Sequence, residues 1–306
     1  MNALFCNVLF AVIAADGSAA VENPVLVELV QKGVATPDGT AIKLPAATMT
    51  DGLDAEAQTA AITKSLPPRV TMEQFFEKNS SAPIALKVKT VRSDDATFRT
   101  IDLGFVAHGR WGTLLSDKFS ENMFKTKKQE NEEKGQTVSK LGFLTPEEMQ
   151  SRKLVPVVKD GMEERFFYTT FRLFDLVEVS ATRRTVVTKT PESAVLAARI
   201  DSRFAADPDF PNRWRSLERG AAANLIFGKP QPYTGAGFYV KATRLAKPQG
   251  TVFVEYHSAF HEPKAWFDGE NTLRAKLPVI VQSEVKQFRG KFGRASLDDA
   301  AEKPKP

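Results

Sequence analysis

The stretch TLRAKLPVIVQSEVKQFR, Thr272 to Arg289, follows a long series of strand-like segments and decides how they are closed. Leu273, Leu277, Ile280, Val281, Val285 and Phe288 recur in it at three- and four-residue spacing, which puts them in one apolar stripe along a helix. Upstream lie runs rich in β-branched and aromatic residues: Arg165 to Leu173, Val177 to Thr182, Thr185 to Thr188, Ala194 to Ile200, Trp214 to Leu217, Gly237 to Arg244 and Val252 to Phe260. Many strands followed by one long helix predict an α+β fold, a curved antiparallel sheet wrapped around the C-terminal helix about an apolar interior. Leu277, Ile280, Val281 and Phe288 are then expected against the sheet, with Lys276, Lys286 and Arg289 in water.

Glu284 falls inside the apolar stripe at 100° per residue. A buried carboxylate needs an arginine or a polar ligand group, because an unpaired buried charge is too costly to keep. Alternatively Pro278 offsets the helix and turns Glu284 to the rim, and a proline within the stripe favours that outcome.

The chain has 306 residues, enough for one domain with an N-terminal extension. Its 22 Phe against 4 Tyr and 3 Trp give an aromatic mass mostly without a polar handle, suited to packing or an apolar cavity. Cys6 is the single cysteine, which excludes an internal disulfide and a thiolate metal site. Ala3 to Ala15 is an apolar run of h-region length, and Ser18, Ala19 and Ala20 supply small residues for cleavage, although no Lys or Arg precedes the run. Residues 1–20 are therefore expected to be a signal peptide, and the mature protein to be soluble in the periplasm or cell envelope. No other run approaches the roughly 18 apolar residues of a membrane span.

Charge is uneven. Between Lys264 and Arg294 the basic residues Lys264, Arg274, Lys276, Lys286, Arg289, Lys291 and Arg294 outnumber Asp268, Glu270 and Glu284. This end can meet an anionic membrane surface or be a solvated helix face. Aromatics do not interleave with the cations as on a nucleic-acid platform, so nucleic acid is not an expected partner.

Residues 21–80 read as an N-terminal segment, with a helix at Val25 to Gln31, a strand at Thr40 to Leu44, a helix at Ala55 to Lys64 ended by Pro67-Pro68, and a short helix at Thr71 to Lys78. Ile84 to Arg92 and Phe98 to Ala107 form a hairpin through Ser93-Asp94-Asp95, and Thr113 to Lys127 is a helix running into a charged loop near Gln129. Thr145-Pro146-Glu147-Glu148 is a capping box that starts another helix. Residues 295–306 are too polar to pack and are expected to be a disordered tail.

Two stretches resemble the START-type lipid-transfer domains of the Bet v1-like helix-grip superfamily. Ser193 to Ile200 with Asp209-Phe210-Pro211-Asn212-Arg213-Trp214-Arg215 is similar to their mid-domain strand, turn and next strand. Val254-Glu255-Tyr256, His261 to Phe267, Leu273 and Lys276-Leu277-Pro278 are similar to their last strand, Trp-containing turn and C-terminal helix. The likeness covers Ile84 to Phe292 within an expected domain at 81–294, and the chain also looks like uncharacterised exported bacterial proteins. The N-terminal segment and the loop near Gln129 depart from the pattern. The resemblance implies a helix-grip fold with a hydrophobic cavity and no catalytic residues.

The residue types agree with a non-enzymatic role. There is no Gly-x-Ser-x-Gly elbow, and Gly235-Ala236-Gly237 lacks the third glycine of a dinucleotide loop and precedes a strand. Glu255, His257 and His261 share one strand face, a possible zinc set. Residues four apart on a strand are separated by roughly 13 Å, so that set needs a bulge near Ser258. No metal and no cofactor is expected. The expected function is the binding of an apolar ligand, such as a lipid, between sheet and helix, with Leu277, Ile280, Val281, Glu284, Phe288 and Trp266 lining the cavity. Trp266 can equally staple its turn to the sheet. The alternatives are an envelope interaction protein with a filled core and, third, a metal-dependent enzyme.

Overall fold

The computed structural model describes residues 22–36, 39, 41–92, 96–123, 141–159, 161–220, 224–267 and 272–301. The expected signal peptide, the loop near Gln129 and residues 302–306 lie outside this set. Elements follow in the order α1 (Pro24–Gln31), β1 (Val34–Ala35), β2 (Ala41–Ile42), α2 (Ala55–Ser65), α3 (Met72–Phe75), β3 (Ala85–Arg92), β4 (Ala96–His108) and α4 (Trp111–Leu114). Residues 117–123 form α5. Then come β5 (Leu141–Phe143), α6 (Pro146–Gln150), β6 (Val158–Lys159), β7 (Met162–Leu173), β8 (Val177–Lys189), β9 (Ser193–Ile200), β10 (Arg213–Arg219), β11 (Leu225–Phe227), β12 (Gln231–Pro232), β13 (Ala236–Arg244), β14 (Thr251–Pro263) and α7 (Thr272–Ala301).

All the longer strands join one antiparallel sheet, in the order β11-β10-β8-β9-β13-β14-β4-β3, with β7 on the free edge of β8. The fold is α+β, a large antiparallel sheet gripping its C-terminal helix. Alternation along each strand assigns the two faces. Leu103 and Phe105 of β4, Val179 and Val187 of β8, Val240 of β13 and Val254 of β14 share one apolar cluster with Leu273, Leu277, Val281, Val285, Phe288 and Phe292 of α7. The strand segments and the helix stripe read from the sequence meet in this core.

The outer face is covered by the N-terminal segment, which is thus not a separate unit. Val25, Leu29 and Val34 pack on Val186, Ala197 and Tyr239, while Met49, Ile62 and Phe75 pack on Val106 and Phe253. Close approach is possible because position 237 lacks a side chain: a Cβ on Gly237 would sit 2.6 Å from Leu29 Cδ2 and 2.9 Å from Val34 Cγ2.

Several expectations are corrected. Val177 to Thr182 and Thr185 to Thr188 are one 13-residue strand, β8, that runs through Arg183-Arg184. The pair continues the strand because each guanidinium has somewhere to go: Arg184 ion-pairs with Glu164 and Glu28, while Arg183 packs on phenylalanine rings. The helix expected at Thr113 to Lys127 is interrupted at Leu115-Ser116 between α4 and α5, its residues 124–127 lying outside the described set, and that at Thr71 to Lys78 is a single capped turn. The tail expected from residue 295 is helical to Ala301. Ser296 Oγ accepts the Arg110 N–H at 2.9 Å and Thr113 donates to Asp299, so polar residues dock the last turns.

Arg289, expected in water, is 7% exposed. It lies four residues beyond Val285 on the stripe, and its fork of donors satisfies three carbonyls, Val106 O at 2.8 Å, Ala82 O at 2.6 Å and Pro83 O at 3.2 Å. Burial pushes its pKa down to about 10, so it stays charged at neutral pH. Glu284 is likewise not turned to the rim by Pro278, being 7% exposed. Lys276 and Lys286 are exposed.

Candidate functional site

β8 is where the sheet divides. Its residues 183–189 pair with β9 and its residues 177–180 pair with β10 along the same edge, while β7 pairs along the other. Thr182 stands at the gap. The buried Asn212 side chain fills it, accepting the Thr182 N–H at 2.7 Å and donating to Asp201 O at 2.7 Å, while the Thr182 hydroxyl donates to Phe210 O at 2.7 Å. The next residue is Arg183, paired across the strands with Phe167 and Ile200.

Arg183 is on the inner face, since Val177, Val179, Ala181 and Val187 of the same parity belong to the core around α7. Its guanidinium carbon lies 5.3 Å from the Phe167 ring centre and 5.7 Å from that of Phe238. It borders a cavity of about 40 Å³ whose wall also includes Phe171, Ile200, Tyr233, Phe238 and Tyr256. Arg183 is 9% exposed, and among the described residues no acceptor bonds to its Nε or Nη2. Thr169 Oγ1 and Ser258 Oγ, on the same wall, also lack partners among the described residues. Burial lowers the Arg183 pKa to about 10, partly countered by the nearby Tyr256 and Tyr233, and the group remains a cation at neutral pH. Burial raises the Tyr233 pKa, so its phenol stays neutral and donates to His261 O at 3.1 Å. The cavity is an apolar pocket with one buried cation and, among the described residues, two unpartnered aliphatic hydroxyls, geometry that orients a ligand's polar end.

None of Leu277, Ile280, Val281, Glu284, Phe288 and Trp266 borders this cavity. Leu277, Val281 and Phe288 pack into the core beneath α7. Trp266 is buried against Tyr233 at 5.5 Å and Trp214 at 6.2 Å between ring centres, the contacts of a residue that holds its turn to the sheet. Sequence reasoning missed Arg183 because two adjacent arginines between strand-like runs read as a break. The available signal was register: counted as one strand, residues 177–189 put Arg183 on the apolar face.

The zinc candidates separate. Glu255 accepts the N–H groups of Thr48 at 2.7 Å and Met49 at 3.2 Å, which ties the N-terminal segment to the outer face of β14. His257 sits between Asp102 Oδ1, at 2.8 Å from Nδ1, and Glu255 Oε1, at 3.8 Å from Nε2, with the Tyr239 ring stacked on it. His261 instead stacks on Phe98, ring centres 5.0 Å apart. Among the described residues no group of three or more His, Cys, Asp or Glu is placed to hold a metal.

Burial alone lowers the His257 pKa, but the hydrogen bond to Asp102 and the nearby Glu255 carboxylate outweigh that and raise it above the ordinary value. A raised folded pKa stabilises fully below the unfolded value, about 6.5, and the contribution is lost as pH rises through the folded value. Glu255, depressed by its hydrogen bonds despite burial, works in the opposite sense and loses its contribution only in acid. Urea midpoints are therefore expected to fall more between pH 6 and 8.5 in the parent protein than in His257→Gln. Parallel falls would show that His257 does not carry the linkage.

No protein-family model matches the chain, and no curated protein is similar to it in sequence. Among solved structures it is similar to the crystal structure of human STARD10, with a TM-score of 0.32 and 10% sequence identity over 72% of this chain and 83% of that one.

Proposed function

We propose that the chain is a non-enzymatic domain that binds an apolar ligand, a lipid among the candidates, inside its grip. The observation that supports this most is the cavity at β8, where polar atoms of Arg183, Thr169 and Ser258 lack partners among the described residues within a wall of aromatic and aliphatic side chains. Buried polar groups in a filled core are almost always hydrogen-bonded, so unpaired ones around a void point to something that occupies it. About 40 Å³ holds roughly three waters or one head group, so a longer ligand has to displace side chains of the wall. Organic extraction of the purified protein followed by mass spectrometry tests the proposal. An extract without apolar molecules, from protein that also fails to take up decanol or decanoate, would end it.

Contact with an anionic membrane surface is an alternative role, favoured by a groove of about 610 Å³ beside the last turns of α7, bordered by Lys78, His108, Arg110, Arg294 and the exposed Leu297. Co-sedimentation with phosphatidylserine vesicles, lost at high salt and absent with phosphatidylcholine, is the outcome that role requires. Export from the cytoplasm is proposed on the apolar run Ala3 to Ala15, and Edman sequencing of protein from the envelope fraction checks it by the new N-terminus near Ala20.

A further inference from the structure

We propose that Arg183 is an anchor for the carboxylate head of the ligand, so that the molecule the grip receives is an apolar carboxylic acid. The inference rests on the ligand-binding function proposed above and adds the chemistry of the head. It comes from which donors are unused. Nε and Nη2 are the two nitrogens on one side of a guanidinium, and together they form the fork that matches both oxygens of a carboxylate.

The same chain uses that fork repeatedly. Arg99 holds Glu262 through Nε and Nη2, Arg152 holds Asp207 through the same pair at 2.6 and 3.0 Å, and Arg203 holds Asp201 through it as well. At Arg183 these two atoms have no acceptor among the described residues, and the side chain borders a void where the others face a carboxylate. Phe167 and Phe238 lie near the guanidinium carbon, Ile200 and Ala181 share its wall, and among the described residues no carboxylate borders the cavity to complete the pair. A buried cation without a counter-ion is among the costliest groups a fold can carry. An incoming carboxylate removes that cost with two parallel charge-assisted bonds, and the hydroxyls of Thr169 and Ser258 on the same wall can donate to its remaining lone pairs.

Calorimetric titration with decanoate, decanol and acetate separates the possibilities, using the full chain and the variants Arg183→Leu and Arg183→Lys. Decanoate is expected to bind the parent protein, with affinity about tenfold to hundredfold lower for decanol and in Arg183→Leu, the loss of two charge-assisted bonds. Arg183→Lys keeps the charge but not the fork and should fall between. Thermal unfolding guards against a misfolded variant: without ligand, Arg183→Leu should melt no lower than the parent, because it removes an uncompensated buried charge. Equal binding of decanol and decanoate, unchanged in Arg183→Leu, overturns the carboxylate anchor and leaves an apolar ligand standing. Acetate binding as tightly as decanoate, and lost in Arg183→Leu, supports the anchor and overturns the apolar ligand. No binding of any of the three overturns both.

Discussion

Glu262→Ala is expected to destabilise the protein by about 3–5 kcal/mol, the usual cost of removing one member of a buried ion pair. Arg99 is 1% exposed and reaches Glu262 with both Nε and Nη2, and its Nη1 donates to Thr90 Oγ1 at 3.3 Å. The two residues stand two positions out of register on neighbouring strands β4 and β14, a diagonal pair on the inner side near the end of the hairpin with β3. Deleting the carboxylate leaves a guanidinium with nowhere to find water, and that uncompensated charge, more than the lost attraction, sets the size of the effect. The double replacement Arg99→Met with Glu262→Leu should therefore recover most of the loss, since apolar side chains of similar volume often substitute for a buried pair with little penalty. Urea unfolding of the two variants checks both statements. A loss below about 1 kcal/mol for Glu262→Ala, the value of a surface pair, would mean that water reaches Arg99.

Arg99 and Arg183 sit on the same face of one sheet and are predicted to respond in opposite ways. Removing the partner of Arg99 should destabilise, whereas removing Arg183 itself should not. The difference lies in the state of the unliganded molecule: one guanidinium is neutralised by the fold, and the other has no carboxylate among the described residues. A domain that keeps an unpaired cation inside gives up stability for an interaction that folding alone does not complete. That trade is common at sites that bind something.

The parts of this fold that were legible in the sequence are those governed by local pattern. Leu273, Leu277, Val281, Val285 and Phe288 could be placed on one helix face because their spacing is a property of the helix itself, and the capping box at Thr145 and Glu148 formed as its residues specify. The site depended on long-range facts. Whether Arg183-Arg184 ends a strand is decided by Glu164 and Glu28 on one side and Phe167 and Phe238 on the other, and Glu28 lies more than 150 residues away in the chain. Arg289 looked like a solvated cation because its partners are carbonyls, which any sequence can supply. Polar residues at the end of α7 looked unable to pack because their partners lie far away in the chain. Ser296 and Asp299 meet Arg110 and Thr113 only after the sheet has brought the two ends together.

The second large effect is expected at Phe288, where Phe288→Ala should cost about 3–5 kcal/mol. Its ring contacts Phe105 of β4 edge-on at 5.7 Å, Phe119 of α5 at 6.2 Å and Phe292 one turn along at 5.6 Å, so a single side chain joins the sheet, the short helix and α7. The helix cannot absorb the loss, because its own sequence is a poor helix former. Pro278, Gly290 and Gly293 all lie inside it, and a proline and a glycine cost a helix interior about 3 and 1 kcal/mol relative to alanine. α7 is therefore held by its contacts with the sheet more than by its propensity. Ile280→Ala, at the margin of the same stripe and outside the central cluster, should cost nearer 2 kcal/mol. Lys286→Ala, in water, should stay within about 0.5 kcal/mol. The order Phe288, Ile280, Lys286 in urea unfolding is the signature of a helix clamped by its inner face. Were Ile280→Ala as costly as Phe288→Ala, or Lys286→Ala costly at all, α7 would be docked on a different face from the one described.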